Sequence, residues 1–430
     1  MWWVYELLFI LGYLAYLPKA LMRKRLPHPG WTMRLGYYPQ PARDVLRRGV
    51  PIWVHAVSVG EVLAARPLVR AIAEASVDPL ILSTITRGGF DVASTPAIPQ
   101  TIPLYLPLDL RGCVRRAFDQ IRPRVLILIE SELWPILIRE AKARGCRIAV
   151  VNGRISARAF RRYRWVRRWL GGALSRHIDF FCMQSQQDAD RLTSLGVTAE
   201  KVRVAGNLKW EASLSARPTP EQAQETAGTI GVLPGDQLIV AGSTHRGEEA
   251  ALLAAIHELK RAQQPIRLII APRHLERVAE VESLVKQAGL ISLRFSQARG
   301  GGGWDVGIVD TFGQLPRYYA LATVVFIGGS LIPHGGQNPL EAASLGKPVF
   351  FGPHMHNFAD IAEQLLAADA AKQLATTEEL LATLTALLTN PASAEAMGRR
   401  AQALAERSRG AVTRTLEALQ PIFQSISDMK

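Results

Sequence analysis

The chain has 430 residues, enough at roughly 100 to 200 residues per domain for two or three folded domains, so a small disulfide-stapled module is excluded. Apolar residues make up 48% and charged ones 20%, with 34 Gly and 26 Pro spread along the chain, which excludes extended disorder and a collagen-like repeat. Lys and Arg number 51 against 37 Asp and Glu, a formal charge of +14; this favours an anionic partner, whether nucleic acid, phosphorylated ligand or acidic membrane, without choosing among them.

Met1 to Pro18 is apolar apart from Glu6 and is followed by Lys19, Arg23, Lys24 and Arg25. A secretory signal carries its charge before the apolar run, so this order predicts a retained N-terminal membrane anchor over 1–22, with the basic flank keeping the rest of the chain cytoplasmic. The length is borderline for a spanning helix, and an ordinary buried helix is the competing reading. Trp2, Trp3 and Tyr5 at one end and Tyr13 and Tyr16 near the other suit the two interfaces of a membrane.

After the proline-marked stretch Pro27 to Pro41, short apolar runs alternate with amphipathic segments. Pro51 to Val57, Leu80 to Thr84, Val125 to Ile129, Arg147 to Val151 and Phe180 to Met183 read as buried strands, with helices such as Val62 to Ala75 and Leu133 to Arg144 between them. That alternation predicts a parallel sheet with crossover helices, a Rossmann-like domain over 30–206. A Pro- and Gly-marked linker, 207–236, leads into a second series: Leu238 to Ala241, Arg267 to Ala271, Val306 to Val309, Val324 to Gly328 and Pro348 to Phe351. The expectation is a second Rossmann-like domain over 237–410 and a C-terminal helix, 411–430, that packs back on the first. Cys113, Cys146 and Cys182 stand singly, without paired spacing, and read as buried thiols in a reducing compartment.

Ligands of doubly wound sheets bind beyond the carboxyl ends of the strands, so the residues just after each strand carry the chemistry. Ser58-Val59-Gly60-Glu61 reads either as a capping box or as a carboxylate able to take a proton from a hydroxyl. Ala241-Gly242-Ser243-Thr244-His245-Arg246-Gly247-Glu248, a strand end, a small-residue turn and a helix start, offers hydroxyls and amides for a phosphate, or simple helix capping by Ser243 or Thr244. Arg273 and His274 after Pro272 suit a phosphate or carboxylate. Gly328-Gly329-Ser330, with His334-Gly335-Gly336-Gln337-Asn338-Pro339-Leu340-Glu341 beyond it, reads either as a helix start with capping-box spacing or as glycine backbone for a nucleotide with a glutamate for ribose hydroxyls. Gly352 to Phe358 closes the same end of the sheet, and its His354 and His356 lack the spacing and third ligand of a metal site. Arg154 to Arg176 interleaves eight arginines with Phe160, Tyr163, Trp165 and Trp169, a pattern suited to anionic lipid. Asp188 and Asp190 imitate a metal–diphosphate pair but fall on an expected helix.

Ser58-Val59-Gly60-Glu61, Glu130-Ser131-Glu132-Leu133-Trp134-Pro135, Gly242 to His245, Pro272-Arg273-His274 and Gly336 to Glu341, in this order and spacing, resemble 3-deoxy-D-manno-octulosonic acid (Kdo) transferases, over a stretch from the N-terminal segment to about Glu363. The resemblance implies an α/β GT-B glycosyltransferase with two Rossmann-like domains facing a central cleft, at the cytoplasmic face of a bacterial inner membrane. It implies inverting transfer of Kdo from CMP-Kdo to the lipid A precursor lipid IVA, with no metal or cofactor. Position by position it makes Glu61 the general base, and it places Ser243, Thr244, Arg273, His274, Gly329, Ser330, Asn338 and Glu341 at the CMP-Kdo site. Lys209, Glu130 and Glu132 fall on the cleft or acceptor side. The expected partners are CMP-Kdo, the lipid A precursor and an anionic membrane surface, and not nucleic acid. On the residues alone, another nucleotide-sugar transferase, a UDP-sugar 2-epimerase, or a non-enzymatic basic protein binding membrane or nucleic acid stays open.

Overall fold

A computed structural model of the chain describes residues 2–22, 28–95, 101–130, 133–166, 172, 174–233, 235–262, 266–301 and 303–427. The chain divides into two units, Met1–Ala212 with Gly410–Lys430, and Ser213–Arg409. In the first, β1 (Ile52–His55), β2 (Leu80–Thr84), β3 (Thr101–Tyr105), β4 (Val125–Ile129), β5 (Arg147–Gly153), β6 (Phe180–Met183) and β7 (Val202–Val204) form one sheet in the order β3-β2-β1-β4-β5-β6-β7. Every pairing is parallel. Helices cover both faces, so these strands are apolar on both sides and read as unbroken hydrophobic runs. Trp53, Ile81, Leu126, Leu128 and Ile148 pack into one core, and Val54, Leu80, Leu82, Val125 and Ile127 into the other, the alternation a period of two requires.

The second unit repeats the plan with β8 (Gln237–Thr244), β9 (Ile266–Pro272), β10 (Ser292–Arg294), β11 (Val306–Ile308), β12 (Val324–Ile327), β13 (Val349–Phe351) and β14 (Ala371–Gln373), ordered β10-β11-β9-β8-β12-β13-β14. Its pairings are likewise parallel. The helix Ala411–Ser427 returns to the first unit, where Ala411, Leu419 and Ile422 join the core around Val54. Glu211 accepts from the Gly410 and Val412 amides at 3.1 and 2.6 Å, holding the start of that helix.

The N-terminal segment forms a helix, Trp2–Met22. One side of it is tied to the first unit: Tyr5 Oη donates to Asp109 Oδ2 at 2.8 Å, and Glu6 accepts from the Arg111 amide at 2.7 Å. Trp3, Leu7, Leu8, Ile10, Leu11 and Leu14 stay exposed. Among the described residues no helix is long and apolar enough to cross a membrane. The three cysteines are buried free thiols.

Candidate functional site

Strand order reverses between β1 and β4 in the first sheet and between β8 and β12 in the second. Connections leave toward opposite faces at such a point, which opens a crevice at the carboxyl ends of the strands. The segments singled out from the sequence lie at these two places.

In the first unit β1 runs into Ser58, extended at φ −119°, and the helix Val59–Ala75 begins. Glu61, in its first turn, reaches back: Oε2 accepts from the Val57 amide at 2.8 Å and Oε1 from Ser58 Oγ at 2.9 Å. Glu61 thus reaches one residue past the N-cap Ser58, whose hydroxyl turns to the carboxylate and caps no helix amide, so the capping box expected from the spacing is not the arrangement seen. Both oxygens are thereby oriented at the strand end, and a Cβ built on neighbouring Gly60 would meet nothing within 4 Å; local packing does not demand a glycine there. Across the switch point Glu130 follows β4 in the left-handed region at φ 64°, and on β5 Asn152 does the same at φ 57°. Such backbones cost about 1–2 kcal/mol each and need support. The Glu130 amide donates to the Val151 carbonyl at 2.7 Å, and its carboxylate pairs with Lys209 Nζ at 2.6 Å. Asn152 Oδ1 accepts from the Leu208 amide at 2.9 Å, which fixes the segment carrying Lys209. Glu130 and Lys209 are therefore brought together; Glu132 lies outside the described residues. Asp109 holds the next helix, accepting from the Ile136 and Leu137 amides at 3.1 and 2.8 Å.

In the second unit β8 ends in an irregular step between Gly242 and Thr244, with Ser243 left-handed at φ 55°. Gly242 is required by close approach, since a Cβ there would collide with Tyr319 Oη. Arg273 and His274 follow β9 with exposed side chains, and the Arg273 amide donates to the Thr244 carbonyl at 3.0 Å, tying the ends of β8 and β9. His274 lies 3.6 Å from Glu276. Asn338 Nδ2 donates to Glu341 Oε1 at 3.3 Å, and Asn338 Oδ1 accepts from the Leu340 amide at 3.0 Å. Burial pushes the Glu341 carboxyl above its ordinary range, while the Asn338 amide and the Arg273 charge pull it back. Arg273, Asn338, Glu341, Ser243 and Gly329 thus gather around the ends of β8, β9 and β12.

Two of the residues expected at the donor site have their hydroxyls engaged internally. Thr244 is fully buried and its hydroxyl donates to Glu249 at 2.9 Å. Ser330 is also fully buried, its hydroxyl donating to the Ile327 carbonyl and accepting from the Gly352 amide. Both hydroxyls face inward because a buried polar group must find a partner. Neither Ser243 nor Thr244 caps the following helix, which starts at Glu248 after Gly247. Asp188 is buried and engaged internally, accepting from the Ile155 amide at 2.9 Å and from the Ser185 hydroxyl at 2.5 Å. Among the described residues no group of three or more His, Cys, Asp or Glu is placed to hold a metal.

Two residues of the Ala241 to Glu248 segment have places that the sequence did not assign them. His245 is buried against His334, ring centroids 3.9 Å apart, and edge-on to His274 at 5.8 Å, with Gln337 Nε2 at 3.1 Å from its Nε2. Burial, then the charges of His334, His274, Arg273 and Arg277, lower its pKa to about 4, so the ring is neutral. Glu248 is fully buried and accepts from the His245, Gly329, Ser330 and Leu331 amides; burial raises its carboxyl and those amides pull it back. The adjacent Gly247 was the available signal, since a helix-starting acid after glycine is placed to reach free amides.

Residues 29–212 match the family described as 3-Deoxy-D-manno-octulosonic-acid transferase (kdotransferase). The chain is 36% identical over 388 residues to the 3-deoxy-D-manno-octulosonic acid transferase of Bordetella pertussis, covering 88% of this chain and 89% of that one. In fold it is similar to the UDP-GlcNAc 2-epimerase of Neisseria meningitidis bound to UDP-GlcNAc (TM-score 0.57, 13% identity, 86% of this chain and 100% of that one). It is also similar in fold to a glycosyltransferase of Rickettsia africae (TM-score 0.54, 11% identity, 87% and 99%).

Proposed function

This chain belongs to the 3-deoxy-D-manno-octulosonic acid transferase family of glycosyltransferases, and from that premise we propose that it moves Kdo from CMP-Kdo to the lipid A precursor at a membrane surface. The observation that carries the reading is the position of Glu61. It stands at a strand-order reversal with both carboxylate oxygens oriented by Val57 and Ser58, as a base needs to be held.

In this reading the acceptor hydroxyl loses its proton to Glu61 as its oxygen bonds to the anomeric carbon of Kdo from the face opposite CMP. The bond from that carbon to the phosphate oxygen breaks, and its electron pair leaves with CMP. Negative charge grows on the phosphate, and the Arg273 guanidinium is the group to receive it. Asn338 and Glu341 would take the ribose, and the Glu130–Lys209 pair the polar part of the acceptor. In this reading no metal is needed, because the leaving group carries one phosphate and Arg273 supplies the countercharge.

The exposed apolar side of helix Trp2–Met22 supports a helix lying in the plane of the membrane interface, its other side fixed to the protein through Tyr5 and Glu6. Arg161, Arg162 and Arg164 beside Trp165, which is 91% exposed, support a second contact with anionic headgroups. The cytoplasmic face of the inner membrane is the proposed location. The test is CMP release: mixing enzyme, CMP-Kdo and lipid A precursor in micelles should liberate CMP only when all three are present. UDP release from a UDP-sugar, or its epimerisation, would overturn the proposal.

A further inference from the structure

The turn after β12 aims three consecutive amides, those of Gly329, Ser330 and Leu331, at one point, an arrangement that makes a nest for an anion. The nest is filled by the chain's own carboxylate. Glu248 Oε2 accepts from Gly329 at 2.7 Å, and Oε1 accepts from Ser330 and Leu331, each at 3.0 Å. Oε2 also accepts from the His245 amide at 2.9 Å. Glu248 and Ser330 are both fully buried, so these amides point into the protein. The amide donors of this turn are therefore engaged by the chain's own carboxylate.

What the carboxylate does is join strand ends. β8 and β12 are the neighbours at the strand-order reversal, and Glu248 bonds to the segment after each. Ser330 extends the tie to β13, accepting at Oγ from Gly352 at 2.8 Å and at its carbonyl from His354 at 2.9 Å. The Arg273 amide, bonded to Thr244 at 3.0 Å, extends it to β9. Gly329, left-handed at φ 68°, presents its bare α-carbon to the His245 ring, and a Cβ there would come within 3.2 Å of Cδ2. His245, Gly329 and Arg273 thus take their places from one buried charge.

We infer that Glu248 is a positioning residue for the donor site, an internal anion that presets the ends of β8, β9 and β12 for a sugar nucleotide; the inference rests on the donor reading above. A glutamine has the same shape but only one acceptor oxygen, and its amide N–H groups would face the backbone N–H groups that now bond to the carboxylate. The turn must then shift, and with it His245 and Arg273.

The test compares wild type with Glu248→Gln, using CMP-Kdo kinetics and calorimetric titration with CMP. Expected is a rise of about tenfold or more in the donor KM and in the CMP Kd, with kcat changed much less. A merely structural role would lower the folded fraction, and so the apparent kcat, and leave KM and Kd unmoved; values within twofold of wild type overturn the inference. If Glu248→Gln does not fold, Gly329→Ala displaces the same turn against His245 while keeping the carboxylate. It should raise the same two constants, and unchanged constants there count equally against the inference. Wild type that neither binds CMP nor consumes CMP-Kdo would instead defeat the donor reading itself.

Discussion

Glu61 holds two positions in this account, as a brace at the end of β1 and as the proposed base, and Glu61→Gln separates them. The brace consists of the bonds from Val57 at 2.8 Å and Ser58 at 2.9 Å. A glutamine retains both contacts, accepting from the Val57 amide through its oxygen and donating to Ser58 Oγ through its nitrogen. Each such bond is worth about 1 kcal/mol net, and Val57 and Ser58 are only half-buried, so water satisfies what the substitution disturbs. The folding free energy should change by less than about 1 kcal/mol. Removing a positioned base lowers the chemical step by about 10²–10⁴-fold, so kcat should fall by that factor while the CMP-Kdo KM stays within about twofold. The assay is initial-rate transfer at saturating acceptor, with urea unfolding as the stability control. Glu61→Gln retaining more than about a tenth of wild-type kcat would refute the base assignment, and an equal loss in donor KM would move Glu61 to substrate binding.

Arg273→Ala should weaken CMP binding by about 10–100-fold, the loss of a charge-assisted contact to phosphate; calorimetric titration reads it, and an unchanged Kd places the phosphate elsewhere. Leu8, 63% exposed on the N-terminal helix, should matter only at the membrane. Leu8→Asp is expected to reduce co-sedimentation with anionic vesicles by about tenfold or more without moving the unfolding midpoint, and unaltered sedimentation would contradict an in-plane helix. His55 is fully buried on β1 with Nδ1 at 2.9 Å from Ser83 Oγ, and burial lowers its pKa to about 3. An unfolded imidazole takes up a proton near pH 6.5, so between these values only the unfolded state is protonated, and stability falls as pH falls through that window. From pH 7 to pH 5 the loss is about 2 kcal/mol. Urea unfolding at the two pH values should show that loss reduced by about this amount in His55→Gln, and an identical pH dependence in wild type and variant would argue against a buried neutral histidine.

The ten strands legible in the sequence are the central ones, buried on both faces, such as Leu80–Thr84 and Val125–Ile129. The four it did not reveal, β3, β7, β10 and β14, are the edges of the two sheets. Physical chemistry explains the difference. An edge strand needs apolar side chains on little of its surface and tolerates what a central strand does not: Pro103 lies within β3, and β7, β10 and β14 have three residues each with exposed or half-buried positions. At the site, Glu61, Arg273 and Asn338 were readable because they sit directly after recognisable strands or at a helix start. Sequence does not tell which way a hydroxyl at a strand end turns, and the structure turns those of Thr244 and Ser330 onto buried partners. Glu248 and His245 stood inside a segment the sequence marked, but their contacts were not legible because they depend on residues after β12, more than eighty positions away in the chain.

The most direct measurement is the mass of the lipid product. Wild type incubated with CMP-Kdo and tetraacylated lipid A precursor, in parallel with Glu61→Gln and with wild type plus chelator, is predicted to add one or more Kdo masses with and without chelator, and the variant almost none at the same time points. A folded wild type that leaves the precursor unchanged, or a product that disappears with chelator, would contradict Kdo transfer by a carboxylate base without metal.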